Sequence, residues 1–224
     1  MRRFLMLGAF MLLLVLAGGS GLFSTRANSG YQVVHGWPNL PAGFALGQTT
    51  GVEVDSNNRV LVFHRGKRSI LAFDGDSGDL LASWGDGMFG SAHGLTVDHK
   101  DNVWVTDARE HQVYKFSSKG ELLLTLGAKG VPGLDGTHFN SPTDVAIAPN
   151  GDIYVTDGYG NRRIAKFDAA GKFLLDWGIE GSRRGEFVDP HGIVLDKKGN
   201  VYIADRGNSR IQIFSSEGKF LKMW

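Results

Sequence analysis

Two histidines occupy the same setting in separate parts of the chain, where their imidazoles could bind a metal ion. His93 directly precedes Gly94 and an apolar run, and His191 directly precedes Gly192 and a similar run. Histidine is the commonest metal ligand, and a catalytic zinc site uses three protein ligands and keeps one position open. A single histidine near a strand end is usually a turn or surface residue, but two in equivalent positions favour a joint role. His93 and His191 are therefore candidate metal ligands.

Three further side chains that could act on a substrate lie just after one repeated position, which an aspartate usually occupies. This aspartate ends an apolar run in three places: Asp107, Asp157 and Asp205. We interpret these aspartates as acceptors for turn amides, and His64 stands in the same position of a further run. Arg65 and Arg206 come next, and Tyr159 comes one residue further on in its own run. If the loops share one rim, these three side chains converge; the alternative is that the arginines are only solvated.

The elements that must position these residues form an internal repeat. Four similar segments begin at Gly51, Gly94, Asp144 and Gly192, and each contains four short runs rich in Val, Ile, Leu and aromatic residues. Repeats of about 40–50 residues with four strands are typical of β-propeller blades, which stack on their neighbours to bury apolar faces. We therefore predict an all-β protein, a β-propeller with four four-stranded blades.

The sequence leaves two alternatives for how the ring closes. The run Tyr31–Trp37 resembles a fourth strand, so we predict that it completes a blade at the ring closure, which would protect two sheet edges. The sequence ends at Trp224 with its fourth unit, which fits either a four-bladed ring or part of a longer ring. In a six-bladed ring, alternate blades lie one third of a turn apart, and a third histidine would join His93 and His191 on the axis.

The first residues are typical of a targeting segment. Arg2 and Arg3 precede an apolar run, Phe4–Ala17, which small residues follow, as in a secretory signal. We predict a signal peptide over residues 1–27, with an uncleaved anchor as the alternative, and the propeller over residues 31–224. Both alternatives predict a secreted or periplasmic protein, with no membrane contact beyond the N-terminal anchor.

Composition excludes several classes of function. Lys and Arg number 24 and Asp and Glu 23, so the net charge is +1, which provides no concentrated basic face for a nucleic acid. The 224 residues include no cysteine, which excludes disulfides, thiolate metal sites and a cysteine nucleophile. The 32 glycines fit many tight turns between short strands.

Against this background, the repeats resemble a known family. The run Val201–Phe214 resembles an NHL repeat, and about residues 45–224 are similar to the peptidyl-α-hydroxyglycine α-amidating lyases, the lyase domains of peptidylglycine α-amidating monooxygenases. These stretches carry the similarity: Val62–Gly66, His93–Asp98, Asn102–Asp107, His111–Val113, Pro142–Ala146, Asp157–Asn161 and Pro190–Gly192.

The resemblance implies a six-bladed propeller with zinc on its axis and a structural calcium ion beside it. It implies His93 and His191 as zinc ligands, with the family's third histidine in a blade that has no counterpart here. It implies calcium contacts from the carbonyls of Val52 and Leu95. It also implies a catalytic Tyr159, with Arg65 and Arg206 near the substrate.

The family's reaction cleaves the N–C bond of a C-terminal α-hydroxyglycine to give a peptide amide and glyoxylate. We therefore expect a peptide or small amide with a free carboxylate as the substrate. Two other hypotheses remain: a non-catalytic propeller that binds peptide or protein on its rim, and another propeller enzyme of the lactonase or lyase type. The lactonase type would need carboxylates on the axis, where the repeat has Thr50, His93, Thr143 and His191.

Overall fold

Short antiparallel strands follow one another from Thr49 to Met223 in the computed structural model, which describes residues 33–224. The predicted signal segment, residues 1–27, lies outside the described residues. Blade 1 has β1 (Thr49–Val54), β2 (Arg59–His64), β3 (Ile70–Asp74) and β4 (Leu80–Trp84). Blade 2 has β5 (Ala92–Val97), β6 (Val103–Asp107), β7 (Gln112–Phe116) and β8 (Leu122–Leu126). Blade 3 has β9 (Asp144–Ile147), β10 (Ile153–Asp157), β11 (Arg163–Phe167) and β12 (Phe173–Trp177).

Blade 4 follows a small parallel pair, β13 (Ile179–Glu180) and β14 (Glu186–Phe187), in the connection from blade 3. It has β15 (Pro190–Leu195), β16 (Val201–Asp205), β17 (Arg210–Phe214) and β18 (Phe220–Met223), with a 3-10 turn at Arg206–Asn208. Every blade is a four-stranded antiparallel sheet whose spatial order follows the sequence. The prediction of four-stranded propeller blades is confirmed.

The tight hairpin between the first two strands of each blade explains why the turn residues recur. One residue of each hairpin has a positive φ: Asn58 (59°), Asp101 (59°), Gly151 (93°) and Gly199 (79°). Glycine, asparagine and aspartate tolerate this left-handed conformation best. In blade 2, the Asp98 carboxylate accepts hydrogen bonds from the amides of Lys100 and Asn102 at 2.9 and 3.0 Å. These turns hold strands of only four to six residues in register.

Neighbouring blades pack face to face through apolar side chains. Phe63 and Ile70 of blade 1 share a cluster with Leu95 and Val105 of blade 2, and equivalent clusters join blade 2 to blade 3 and blade 3 to blade 4. The first strands β1, β5, β9 and β15 follow one another on the inside. The residues at the start of each first strand therefore face a common centre.

The predicted strand Tyr31–Trp37 is wrong over its described part. Residues 33–37 are irregular and form a turn at His35–Gly36. The β-bridge nearest to this segment is made by Asn39, which pairs with Asp79 of blade 1. Gly36 has φ 81°, and Pro38 has no amide hydrogen to donate to a sheet. Trp37 instead packs on Phe73, with 6.0 Å between the ring centroids, so this side chain covers part of an apolar face of blade 1.

Within residues 33–224 there is no helix with the length and apolar character needed to cross a bilayer.

Candidate functional site

A cavity of about 310 Å³ lies where the first strands of all four blades meet. His93 and His191 both line it, so the structure brings the two predicted zinc ligands to one site. Val52 and Leu95, the residues predicted to contribute carbonyls to calcium, line the same cavity.

Local irregularities in the first strands direct these side chains into the cavity. The register of β5 against β6 shifts between Ala92 and Leu95, which flank His93, and that of β15 against β16 shifts between Pro190 and Gly192, which flank His191. A bulge of this kind bends the strand and turns a side chain away from the regular alternation. The glycine after His93 lets the neighbouring backbone approach, because a Cβ on Gly94 would lie 2.7 Å from Thr143 O.

The hydroxyl of Tyr159 lies between the two imidazoles. Tyr159 Oη is 2.9 Å from His93 Nε2 and 3.1 Å from His191 Nε2, and the two imidazole centroids are 4.8 Å apart. Tyr159 is carried by the loop after β10, while the histidines come from β5 and β15. Three residues of three blades thus converge on one point.

Burial favours the neutral form of both imidazoles, and a hydrogen bond also orients His93. His93 Nδ1 donates to Thr143 O at 2.6 Å, which leaves the lone pair on Nε2 facing the cavity. Burial lowers the pKa of His93 to about 4; the charges of His191, Arg65 and Arg206 act in the same direction, and the bond to Thr143 O opposes them. Burial, together with Arg206, also lowers the pKa of His191.

The two imidazole Nε2 atoms are ligands of a type that zinc binds, and His93 has the tautomer that leaves its Nε2 free to do so. A metal-binding histidine usually donates its other N–H to a carbonyl or carboxylate, as His93 does. Residues 33–224 contain no group of three or more His, Cys, Asp or Glu side chains that could hold a metal ion. The third polar atom at the same point is Tyr159 Oη.

Arg206 contacts both the tyrosine and an aspartate. Its guanidinium carbon lies 5.5 Å from the centre of the Tyr159 ring, and its Nε donates to Asp189 Oδ2 at 2.7 Å. Asp189 is a site residue that sequence reasoning missed. Its only sign was an acidic residue two positions before His191.

Arg65 approaches the site from blade 1 and donates to two neutral oxygens. Its Nε donates to the carbonyl of Ala92, the residue before His93, at 3.1 Å, and its Nη1 donates to Gln48 Oε1 at 3.3 Å. Both acceptors are neutral, so the positive charge of Arg65 is not neutralised by these contacts. The structure brings Tyr159, His93, His191 and Arg206 into contact and connects Arg65 to them through Ala92.

A half-buried carboxyl group that lines the cavity was also missed. Asp144 accepts hydrogen bonds from the amides of Val145 and Ile193 at 2.9 and 3.1 Å, the second across the boundary between blades 3 and 4. Desolvation, with a smaller contribution from the charge of Glu53, raises the pKa of Asp144 to about 7 against the opposing effect of these two hydrogen bonds. Asp144 follows the repeated position held by Thr143, where a conventional strand start hides its role.

The repeated aspartates bind turn amides, as predicted. Asp107, Asp157 and Asp205 are fully buried, and their carboxylates accept amide hydrogens from the preceding loops, for example from Gly90 at 2.7 Å and Asn140 at 2.7 Å. His64 has the equivalent role in blade 1, because its Nδ1 accepts the amide hydrogen of Gly47 at 2.9 Å. These residues fix the loops that carry the arginines and Tyr159.

Comparison with known proteins agrees with this architecture. The family model of the NHL repeat matches residues 139–167 and 187–214, which cover parts of blades 3 and 4. These two segments are similar to the NHL repeat. Among solved structures, a streptogramin B lyase matches with a TM-score of 0.65 at 18% identity, over 81% of this chain and 56% of that one. At this identity the match supports the propeller fold alone.

Curated proteins align with most of this chain. The chain is 37% identical over 218 residues to peptidyl-glycine alpha-amidating monooxygenase B of Xenopus laevis, covering 83% of this chain and 25% of the relative. It is 38% identical over 197 residues to a protein of Caenorhabditis elegans named probable peptidyl-alpha-hydroxyglycine alpha-amidating lyase pgal-1, covering 76% of this chain and 56% of the relative. NHL repeat-containing protein 3 of Homo sapiens is 36% identical over 211 residues, covering 87% and 59%. The chain thus spans from a quarter to about three fifths of these relatives.

Proposed function

We propose that this chain is a zinc-dependent lyase that cleaves the C-terminal α-hydroxyglycine of a peptide or small amide to give the amide and glyoxylate. The observation that carries the proposal is the position of Tyr159 Oη, within 3.1 Å of the Nε2 atoms of both His93 and His191. A base placed beside two neutral imidazoles suits removal of a proton from a substrate oxygen. The name of the Caenorhabditis elegans relative, a probable peptidyl-alpha-hydroxyglycine alpha-amidating lyase, supports the same reaction class.

His93 and His191 are the residues that would hold zinc, through their Nε2 atoms. A bound zinc ion would polarise an oxygen of the substrate and lower the pKa of groups beside it. The carbonyls of Val52 and Leu95 would contribute to a structural calcium ion at the same cavity, because calcium favours oxygen ligands, including backbone carbonyls.

Tyr159 acts as the general base in this proposal. A free tyrosine has a pKa near ~10, so it needs neighbouring positive charge to lose its proton near neutral pH. Arg206 lies over its ring and places a positive charge beside the point of proton transfer. When the substrate hydroxyl loses its proton to Tyr159, the C=O of glyoxylate forms and the C–N bond breaks. The electron pair of that bond passes to nitrogen, which takes up the proton that Tyr159 received and gives the amide.

Arg65 is the better candidate to bind the substrate carboxylate. Its contacts are to two neutral oxygens, whereas Arg206 is paired with Asp189. A guanidinium binds a carboxylate through charge-assisted hydrogen bonds, and the two oxygens that Arg65 contacts do not offset its positive charge.

The predicted signal over residues 1–27 supports an extracytoplasmic site of action.

The reaction is tested by measuring glyoxylate release from N-benzoyl-α-hydroxyglycine by the zinc-loaded 224-residue chain. We expect Tyr159→Phe to lower release at least about 100-fold, the usual contribution of a general base, without weakening zinc binding. Tyr202→Phe is the matched control, because the Tyr202 hydroxyl contacts Asp196 in a turn at 3.4 Å. Zinc-loaded protein that releases no glyoxylate, or equal rates in the wild type and Tyr159→Phe, would contradict the proposal.

A further inference from the structure

Thr143 lies between the two histidines and contacts structural elements of three blades. It precedes β9 of blade 3, and its amide donates to Thr156 O of the same blade at 2.8 Å. Its carbonyl accepts the Nδ1 hydrogen of His93 at 2.6 Å and the hydroxyl of Thr106 at 3.0 Å, both from blade 2.

The hydroxyl of Thr143 links its own blade to the backbone of blade 4. Three acceptors lie within its reach: Thr156 O at 3.1 Å, Thr156 Oγ1 at 2.8 Å and Pro190 O at 2.9 Å. The Thr156 hydroxyl lies 3.1 Å from Asp144 O, to which it can donate its own hydrogen. Of the three acceptors, Pro190 O is the one that belongs to blade 4, so the contact with it joins Thr143 to the strand that carries His191.

Glycines on both sides make these contacts short. A Cβ on Gly94 would lie 2.7 Å from Thr143 O, and a Cβ on Gly158 would lie 2.0 Å from Pro190 O and 2.9 Å from Thr143 Oγ1. Distances this short exclude a side chain at either position unless the backbone moves. The residues after His93 and before Tyr159 are thus the ones that allow three blades to close around Thr143.

The equivalent residue of blade 1 provides an internal comparison. Thr50 has the same position before its glycine, but within residues 33–224 its hydroxyl contacts only Phe63 O of its own blade, at 3.3 Å. The contacts of Thr143 to neighbouring blades are therefore particular to that site and are not a general property of threonine in this repeat position.

We propose that Thr143 is the positioning residue that fixes the two imidazoles relative to each other. Its carbonyl sets the tautomer and ring orientation of His93, and its hydroxyl holds the backbone that carries His191. This inference rests on the proposed function, because it assigns Thr143 a role in the same pair of metal ligands. Residues that orient metal ligands typically change metal affinity about 10–100-fold when they are replaced.

The test compares zinc affinity among three variants by competition with a chelator of known affinity. Thr143→Val removes the hydroxyl and preserves the shape, Thr143→Ser retains the hydroxyl, and Thr50→Val removes the equivalent hydroxyl of blade 1. We expect Thr143→Val to weaken zinc binding about tenfold or more and to change the visible spectrum of bound cobalt(II). Thr143→Ser and Thr50→Val should stay within about threefold of the wild type. Equal affinities for Thr143→Val and Thr50→Val, with unchanged cobalt spectra, would overturn the proposal.

Two further measurements separate this inference from folding defects and from failure of the proposed function. Circular dichroism establishes that each variant is folded, and Thr143→Ala replaces the valine variant if that one is not. In the metal-free wild type, nitrogen NMR of the imidazoles should show His93 protonated at Nδ1, with slow exchange of that hydrogen. A His93 protonated at Nε2 would overturn the role of the Thr143 carbonyl whether or not the chain binds zinc. A wild type that binds no zinc would refute the proposed metal site instead.

Discussion

The neutrality of His93 predicts how stability responds to acid. Because burial lowers the pKa of His93 from 6.5 to about 4, the unfolded chain takes up a proton at this position between those values and the folded chain does not. Stability must therefore fall as the pH is lowered through this window, by at most about 1.4 kcal/mol per pH unit. The difference between the two pKa values corresponds to about 3 kcal/mol in total.

The assay is urea unfolding of the metal-free protein between pH 4 and 7.5, for the wild type and His93→Gln. Glutamine does not titrate, so the wild type should lose about 3 kcal/mol relative to this variant as the pH falls from 6.5 to 4. Asp144 acts in the opposite direction, because its pKa is raised to about 7 and its ionisation costs stability as the pH rises. Its contribution is present in both proteins and largely cancels in the difference.

His99→Gln is the control, because His99 lies exposed in the turn after β5. Its difference from the wild type should stay flat within about 0.5 kcal/mol across the same range, as expected for a surface substitution. A wild type and a His93→Gln variant whose stabilities change in parallel with pH would refute the argument that His93 is held neutral by its surroundings.

Two other substitutions test the packing around the site. Gly158→Ala would place a Cβ 2.0 Å from Pro190 O, so we expect urea unfolding to show about 1–3 kcal/mol of destabilisation. Gly192→Ala is the control, because its Cβ would lie 3.6 Å from the nearest atom, and it should lower stability by less than about 1 kcal/mol. Equal losses of stability in the two variants would contradict the steric argument. Arg163 is buried and binds Asp157 at 3.0 Å and Asp176 at 2.6 Å. Arg163→Leu should therefore lower stability by about 3–5 kcal/mol, because it leaves the buried Asp157 without its cation, and a loss below about 1 kcal/mol would show that the pair contributes little.

The repeat pattern predicted most of the fold and the centre of the site. Strands of four to six residues separated by Asn, Asp and Gly turns can pair only with their sequence neighbours, so the blade order follows from the pattern. Since each first strand lines the axis, residues in the same repeat position must meet there. That argument brought together His93 and His191, and the loop position after the second strand brought in Tyr159 and Arg206.

What the pattern did not predict depends on contacts between blades. Thr143 and Thr50 are the same residue in the same repeat position, and only the approach of Gly94 and Gly158 distinguishes their surroundings. The pairing of Asp189 with Arg206 joins two loops whose conformations the strand pattern does not determine. Tyr31–Trp37 has the residue types of a strand, but Pro38 lacks an amide hydrogen and Trp37 gains more from packing on the face of blade 1.

The most direct test of the account is the position of zinc in a crystal of the zinc-loaded chain, located by anomalous scattering at the zinc absorption edge. We predict one strong peak in the cavity, at about 2.0–2.1 Å from Nε2 of both His93 and His191, with Tyr159 Oη beside it. A zinc ion bound elsewhere, or a cavity in which the two imidazoles face apart, would contradict the claim that alternate blades supply ligands to one metal.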